Sequence, residues 1–234
     1  MDDRCIAIYD SGAGGLFLLG KLVKALPREN YLYFSDRKNL PYGDKTKEEL
    51  KEIADKNLKT IMTYCPKLIV FACNTLSSTL IGEYSHFCVP IAGVLPKTRK
   101  NEKTLLICTA ATARSEYIKK LKTANPETDV FPADGLAEEV ENYLSGGRVP
   151  DLDSRFEEVK KDYDAVSLGC THYNFIGNNI SRLFPKSRII RGDDDVFNKI
   201  QGEKTTSETS RQKGEIIFKD NIDKKYFQSI YGAF

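Results

Sequence analysis

Two cysteines stand in similar sequence surroundings, and each could act as an acid or a base. Cys73 follows the run 68–72 and Cys170 follows the run 165–169, both apolar and both closing on a small residue. Small polar residues and a potential helix follow each cysteine. The partial positive charge of a helix N-terminus favours a thiolate at that position. Two opposed thiols could move a proton on carbon, one removing it and the other returning a proton to the opposite face.

The overall composition is that of an ordinary globular chain. The sequence has 234 residues, 41% hydrophobic and 29% charged, which is long enough for one large domain or two small ones. A formal net charge of +2 and the interspersed acids and bases of segment 44–49 predict no nucleic-acid partner. No apolar run approaches the roughly 18 residues that span a membrane, and no secretory signal precedes the first strand. We therefore expect a cytoplasmic protein with no membrane partner.

The other cysteines indicate neither disulfides nor a metal site. Disulfides are rare in cytosolic proteins, and the chain has no Cys-x-x-Cys motif and only two histidines. Four cysteines lie in apolar stretches and are interpreted as small core residues: Cys5, Cys65, Cys88 and Cys108. A redox pair is the alternative interpretation of Cys73 and Cys170. It would need the sulfurs to approach to about 2 Å, whereas proton transfer needs room for a carbon atom between them.

Short strands alternate with helices along the chain, which predicts an α/β fold with parallel sheets. The predicted strands cover residues 5–9, 31–35, 68–72, 90–95, 104–108, 129–131, 165–169, 187–190 and 215–218. The predicted helices begin after the turns 10–15 and 109–115 and also cover 46–62, 75–84, 135–144, 173–183, 193–200 and 224–231. Segment 203–214 is polar and without period, so it is predicted to be a mobile loop.

The pattern restarts in the middle of the chain. Asp10 and Thr109 lie at matching turns, and nearly the same interval separates Cys73 from Cys170. This predicts two similar lobes, each a mostly parallel sheet flanked by helices, with the site in the cleft between them at the carboxyl ends of the strands. We predict that residues 1–96 and 190–234 form the first lobe and residues 97–189 the second.

Polar residues beside the two cysteines each have a functional and a structural interpretation. Asp10 could pair with a substrate ammonium or polarise a thiol, or it could cap the following helix. The turn 12–15 matches neither Gly-x-Gly-x-x-Gly nor a P-loop, and would instead let the backbone approach a carboxylate closely. His172 could exchange protons beside Cys170, or it could be an interior histidine bonded to backbone. His86 has no such neighbours and is interpreted as structural.

Several segments together resemble the aspartate/glutamate racemase family, in particular its glutamate branch. They are Asp10-Ser11-Gly12-x-Gly14-Gly15-Leu16, Asp36 with Pro41-Tyr42-Gly43, Cys73-Asn74-Thr75, Thr109-x-x-Thr112-x-Arg114-Ser115 and Gly169-Cys170-Thr171-His172-Tyr173. The resemblance implies a cofactor-independent racemase with glutamate as its substrate, supplying D-glutamate for bacterial peptidoglycan. Members of the family often form homodimers, although no sequence feature here defines an interface.

The resemblance also implies a role for each matching residue. Cys73 and Cys170 would be the two acid/base residues, with Asp10 and His172 as supporting polar groups. The residues expected to bind the substrate are Asp10, Ser11, Pro41, Tyr42, Gly43, Asn74, Thr75, Thr112, Thr171 and His172. The alternative for the asparagine and the threonines is helix capping, and the alternative for the tyrosine is surface cover.

The chain departs from the family pattern in three places. Asn174 replaces a proline, the segment 95–97 replaces Glu-Pro-Gly, and Phe131-Pro132 replaces Cys-Pro. The glutamate that supports the histidine could be Glu138, Glu139 or Glu141, of which spacing favours Glu139. Two other functions stay open: a related racemase or isomerase acting on another small acid such as aspartate or hydantoin, and a ligand-binding protein that has lost turnover.

Overall fold

The computed structural model describes residues 4–159, 162–202, 213–219 and 222–231, which form two parallel sheets flanked by helices. The strands are β1 (Ile6–Asp10), β2 (Tyr31–Ser35), β3 (Leu68–Phe71), β4 (Ile91–Gly93), β5 (Thr104–Cys108), β6 (Thr128–Pro132), β7 (Ala165–Gly169), β8 (Arg188–Arg191) and β9 (Ile216–Lys219). The α-helices are α1 (Leu16–Ala25), α2 (Lys47–Met62), α3 (Asn74–Leu80), α4 (Ala110–Arg114), α5 (Glu116–Ala124), α6 (Leu136–Leu144), α7 (Leu152–Arg155), α8 (Gly177–Leu183), α9 (Asp193–Gly202) and α10 (Lys224–Tyr231). Three 3-10 helices cover Arg37–Asn39, Ile81–Tyr84 and Thr171–Ile176. Most of the predicted loop, residues 203–212, lies outside the described residues.

The strand order confirms the predicted repeat of two similar lobes. The first sheet has the order β4-β3-β1-β2-β9, and the second, read from its β8 edge, has the order β8-β7-β5-β6. The four strands of the second sheet therefore repeat the arrangement of β4-β3-β1-β2. β9 returns from the C-terminal part of the chain to pair with β2. The predicted lobe boundary after residue 189 falls inside β8, which pairs with β7 of the second sheet along its length.

Apolar residues bury both faces of the first sheet. In β1, Ile6 and Ile8 pack into the core on one face, whereas Ala7 and Tyr9 pack into the core on the other. This alternation follows from the two-residue period of a strand. Each large side chain buried in this way contributes about 2 kcal/mol to the hydrophobic free energy of folding.

Helix α2 begins where the sequence predicts. The Thr46 hydroxyl accepts a hydrogen bond from the Glu49 N–H at 3.2 Å, and the Glu49 carboxylate accepts one from the Thr46 N–H at 2.8 Å. This reciprocal capping box satisfies two N–H groups at the start of the helix. The buried face of the helix packs on the first sheet through Leu50, Ala54, Leu58 and Ile61.

The two lobes meet at the carboxyl ends of their central strands. The Ala111 N–H of the second lobe donates to the Gly43 carbonyl of the first at 2.7 Å. Thr75 Oγ1 lies 2.9 Å from Thr109 Oγ1, and both hydroxyls contact that of Thr112. These contacts join the two lobes around one cleft.

Two segments differ from the predicted helices. The chain after Cys170 forms a 3-10 helix before α8, instead of one helix from residue 173. Helix α7 was not expected, because its four residues are too few to show a period. Within the described residues, no helix is both long and apolar enough to cross a membrane.

Candidate active site

The two cysteines occupy equivalent positions in the two lobes. Cys73 follows β3 and directly precedes α3, and Cys170 follows β7 and directly precedes a 3-10 helix. Both thiols are free, and the residues are only 5% and 7% exposed. They line one cavity between the lobes.

Cys73 lies in surroundings that favour the protonated thiol. The Ser11 hydroxyl donates to its sulfur at 3.6 Å. Burial, followed by the negative charge of Asp10, raises the pKa of Cys73 to about 12, although the Leu76 N–H opposes the shift. The thiolate expected at the start of a helix is therefore not favoured at Cys73. The donors at the start of α3 do not offset the loss of water around the sulfur.

Cys170 has a cation beside it. His172 Nδ1 lies 3.8 Å from the Cys170 sulfur, and His172 Nε2 lies 2.6 Å from Glu141 Oε2. Burial alone would lower the pKa of His172, but its contacts with Cys170 and Glu141 outweigh this and raise the pKa well above its ordinary value. The ring is therefore an imidazolium at neutral pH. His172 therefore places a positive charge beside the Cys170 sulfur.

Glu141, and not Glu139, supports the histidine, so the preference from spacing is wrong. Glu141 Oε2 also accepts from the Ala13 N–H at 2.9 Å, and the Arg37 Nε lies 3.0 Å from Oε1. Burial alone would raise the pKa of Glu141, but His172, the Ala13 N–H and the Arg37 charge hold it below its usual value. Glu139 instead pairs with Arg155. Residues 139 and 141 are about 160° apart around α6, so they face different neighbours.

Asp10 is fully buried and does not cap α1, so the capping interpretation is wrong. Its Oδ1 accepts from the Gly12 N–H at 2.9 Å and its Oδ2 accepts from the Thr171 hydroxyl at 3.2 Å. Helix α1 instead begins after Gly15. Burial raises the pKa of Asp10, although the charge of His172 and the Gly12 N–H oppose the shift. Asp10 thus connects the glycine-rich turn of the first lobe to the polar segment after Cys170.

The glycines of the turn make room for side chains of the second lobe. A Cβ atom on Gly12 would lie 2.8 Å from Glu141 Oε2, and one on Gly14 would lie 2.4 Å from Thr171 Oγ1 and 2.8 Å from His172 Nδ1. Contacts below 3.0 Å of this kind require the neighbours to move. The sequence predicts that the backbone of this turn approaches a carboxylate closely. In the structure this carboxylate is that of Glu141.

A buried polar network holds Tyr42 against the cavity. Its hydroxyl donates to Asp36 Oδ2 at 2.6 Å and lies 2.7 Å from the Tyr9 hydroxyl. Asn57 Nδ2 donates to both Tyr9 and Asp36 at 2.8 Å. Burial and the neighbouring Tyr9 and Asp36 raise the pKa of Tyr42, so the phenol stays protonated. Its ring faces the cavity while its hydroxyl is held behind it.

Most of the predicted site residues lie together. The predicted residues that line the cavity are Ser11, Pro41, Tyr42, Gly43, Cys73, Thr75, Cys170, Thr171 and His172. Three others stand behind the lining: Asp10, Asn74, whose amide donates to the Val94 carbonyl at 3.1 Å, and Thr112 in the threonine cluster.

The cavity also has lining residues to which the sequence analysis gave no substrate contact. Thr109 was identifiable from its place at the turn that matches Asp10, and its hydroxyl caps α4. Asp134 and Glu138 follow β6 and also line the cavity. Asp134 lies in the loop after β6, which carries no motif, whereas Glu138 on α6 was considered only as a partner of the histidine.

Together these features define a class: two-lobed α/β proteins with a paired-thiol site in the cleft between the lobes. The chain is 32% identical over 232 residues to the glutamate racemase of Campylobacter curvus, covering 91% of this chain and 87% of that protein. It is 36% identical over 196 residues to the glutamate racemase of Carboxydothermus hydrogenoformans, covering 79% and 74% of the two chains. No protein-family model matches the sequence. The chain belongs to the glutamate racemase family, as its motifs predict.

Solved structures agree with this assignment. The glutamate racemase of Campylobacter jejuni superposes with a TM-score of 0.81 at 25% identity, covering 97% of this chain and 96% of that one. The enzyme of Francisella tularensis in complex with D-glutamate superposes with a TM-score of 0.77 at 26% identity, covering 99% and 93%. The predicted fold of two α/β lobes is thereby confirmed.

Proposed function

We propose that this protein interconverts L- and D-glutamate by moving the α-proton between Cys73 and Cys170, without a cofactor. The observation that carries the proposal is the placement of two buried, free thiols at equivalent positions of repeated lobes around one cavity. Membership of the glutamate racemase family supplies the substrate. The His172–Glu141 pair beside one thiol supplies the charge that proton transfer requires.

In the proposed mechanism the two cysteines start in opposite protonation states. Cys170 is the thiolate next to the His172 imidazolium, and Cys73 is the thiol. For one enantiomer, the Cys170 thiolate removes the α-proton and the Cys73 thiol delivers its own proton to the opposite face. The product leaves Cys170 as thiol and Cys73 as thiolate, so the other enantiomer reacts from that state. The two sulfurs therefore titrate as a coupled pair.

The substrate itself stabilises the thiolate of Cys73, which is the less favourable of the two thiolates. The substrate ammonium brings a positive charge into the cavity, which offsets the burial that keeps Cys73 protonated in its absence. The lining contains no lysine or arginine among the described residues, so we assign the substrate carboxylates to hydroxyl donors beside His172. The hydroxyls of Ser11, Thr75 and Thr171 would turn from their present partners in the protein to donate to the substrate.

The family resemblance extends the proposal to the cell. We propose that the protein works in the cytoplasm, forms a homodimer and supplies D-glutamate for peptidoglycan. Expression in a bacterium that requires external D-glutamate tests the supply, with the Cys73→Ser variant as the inactive control. Light scattering of the pure protein tests the dimer.

Incubation of the pure, reduced protein with each glutamate enantiomer in D₂O tests the reaction. Loss of optical rotation together with α-deuterium in the product, from both enantiomers and without added cofactor, is the expected result. Cys65→Ser and Cys88→Ser are matched controls, because both cysteines are exposed, which corrects the core position predicted for them, and neither lines the cavity. Racemisation of aspartate or another small acid, but not of glutamate, would replace the proposed substrate. Absence of both signals with every small acid would favour a ligand-binding protein.

A further inference from the structure

Arg37 forms an ion pair with Glu141 across the junction of the two lobes. Arg37 lies in the 3-10 helix that follows β2 in the first lobe, and Glu141 lies on α6 in the second. The Arg37 Nε is 3.0 Å from Glu141 Oε1, and the two side chains are 30% and 8% exposed. Glu141 Oε1 is buried and accepts no hydrogen bond from the described residues, so this cation is its compensating partner.

The backbone that carries Arg37 is fixed on both sides. The Asp36 N–H donates to the Asp10 carbonyl at 3.0 Å, and Asn39 Nδ2 donates to both carboxylate oxygens of Asp36 at 2.9 Å. The Leu40 N–H donates back to the Arg37 carbonyl at 3.4 Å. The guanidinium therefore extends from an anchored turn, which reduces the entropy lost on forming the pair.

We propose that Arg37 is a positioning residue for the racemisation: it holds the Glu141 carboxylate so that Oε2 bridges His172 and the Ala13 N–H, and thereby keeps the imidazole aimed at Cys170. This inference rests on the proposed function. Arg37 does not line the cavity, so it acts through Glu141 and His172 and touches no substrate. The succession of contacts is Arg37 to Glu141 at 3.0 Å, Glu141 to His172 at 2.6 Å and His172 to Cys170 at 3.8 Å.

Glu141 needs such a partner because its two oxygens have unequal surroundings. Oε2 has two donors, His172 and the Ala13 N–H, whereas Oε1 has only the Arg37 charge. Without that charge, a buried and uncompensated oxygen favours rotation of the carboxylate toward water or its protonation. Either change weakens the hydrogen bond that orients His172.

Steady-state kinetics of Arg37→Leu and Arg37→Lys test the role in turnover. We expect Arg37→Leu to lower kcat about 10- to 100-fold, the size of effect that a misplaced catalytic group produces. KM for glutamate should stay close to its wild-type value, because no lining residue is changed. Arg37→Lys should recover part of kcat, since it keeps the cation but not the planar guanidinium. Arg188→Leu is the matched control, because it removes an ion pair with Glu102 remote from the cavity.

Histidine NMR provides a readout that does not depend on turnover. The chain has only two histidines, so the exposed His86 serves as an internal reference for the buried His172. In the wild type, the short bond to Glu141 should place the His172 Nε2–H proton far downfield, and Arg37→Leu should move it upfield or remove it. If Arg37 only holds the lobes together, Arg37→Leu lowers Tm and leaves this resonance in place.

The two experiments separate the possible failures. A wild-type protein that racemises glutamate, with an Arg37→Leu variant of unchanged kcat and unchanged His172 resonance, overturns the positioning role alone. A wild-type protein without racemase activity overturns the proposed function, while the NMR comparison still decides whether Arg37 orients the Glu141–His172 pair. Arg37→Gln replaces Arg37→Leu if the latter does not fold.

Discussion

The two candidate catalytic thiols occupy equivalent positions but have different chemical surroundings. Burial and the nearby Asp10 carboxylate keep Cys73 protonated, although the Ser11 hydroxyl donates to its sulfur. Cys170 has an imidazolium held by a carboxylate. The repeat thus places two sulfurs symmetrically, while in the proposed mechanism their different neighbours make Cys170 the resting base and Cys73 the resting acid.

The first prediction concerns these sulfurs. We expect Cys73→Ser and Cys170→Ser each to lower the racemisation rate by about 100-fold or more, because a serine hydroxyl is a far weaker acid than a thiol. Circular dichroism of each glutamate enantiomer over time measures the rate. Either variant racemising at the wild-type rate would refute the two-base assignment.

The second prediction concerns Asp10. Asn retains an oxygen that can accept from the Gly12 N–H, so Asp10→Asn should change Tm little. The substitution removes the buried negative charge next to Cys73 and the carboxylate oxygen that accepts from the Thr171 hydroxyl. We therefore expect kcat to fall. Parallel measurements of kcat and Tm decide the point. An unchanged kcat with a lower Tm would leave Asp10 a purely structural role.

At the scale of elements, helix α6 shows what the sequence can and cannot predict. Its existence and limits were predicted from residues 135–144, and the structure gives Leu136–Leu144. Its rotation is set by Leu136 and Val140, which pack into the core of the second lobe. Which flank of that apolar face then meets the first lobe depends on the docking of the lobes. For this reason Glu141 could not be chosen over Glu139 from spacing.

The other site residues also differ in whether the sequence could predict their positions. Cys73 and Cys170 were predicted because each follows a strand, and parallel strands bring their carboxyl ends together. Ser11 and Thr171 were predicted from the family resemblance. Asn74 and Thr112 stand behind the cavity lining because their side chains bond to protein atoms at the lobe junction. Contacts between the lobes do not follow the hydrophobic period of a helix or strand, so they could not be predicted from the sequence.

The third prediction compares two glutamates of α6. Glu141→Gln leaves a buried imidazolium without its counter-charge, so we expect a loss of about 3 kcal/mol in stability and a large fall in kcat. Glu139→Gln breaks only a partly exposed pair with Arg155, which is worth about 0–1 kcal/mol, and kcat should be retained. Urea unfolding and steady-state kinetics of both variants provide the test. Equal effects of the two substitutions would contradict the assignment of Glu141.

Two departures from the family pattern meet at helix α9. Asn174, where the family has proline, donates to Asp193 at 3.3 Å. Lys97, where the family has glycine, pairs with Asp195. Asp193 also pairs with Lys21 of α1 at 2.9 Å. Asn174 and Lys97 therefore both contact the first turn of α9, and Lys21 connects the same turn to α1.

At the scale of the whole molecule, the glycine-rich turn is a place where the backbone of one lobe packs closely against side chains of the other. The fourth prediction is that Gly12→Ala lowers both Tm and kcat, because its Cβ would collide with the Glu141 carboxylate. Gly82→Ala is the matched control, since no atom lies within 4 Å of the Cβ it would add. We expect the control to change stability by no more than about 0.5 kcal/mol. A Gly12→Ala variant with wild-type kcat would show that the contact is not needed for turnover.

The position of Glu141 at the lobe junction links ligand exchange to the charge state of the site. Its partners Ala13 and Arg37 belong to one lobe, whereas Glu141 itself and His172 belong to the other. A movement that parts the lobes to admit or release a ligand separates Glu141 from Ala13 and Arg37, and also separates Asp10 from Thr171. Glu141 then keeps its contact with His172 but loses its own two partners from the other lobe. The arrangement that places the imidazolium beside Cys170 is therefore complete only when the lobes are closed, so the site is assembled by closure and taken apart by opening.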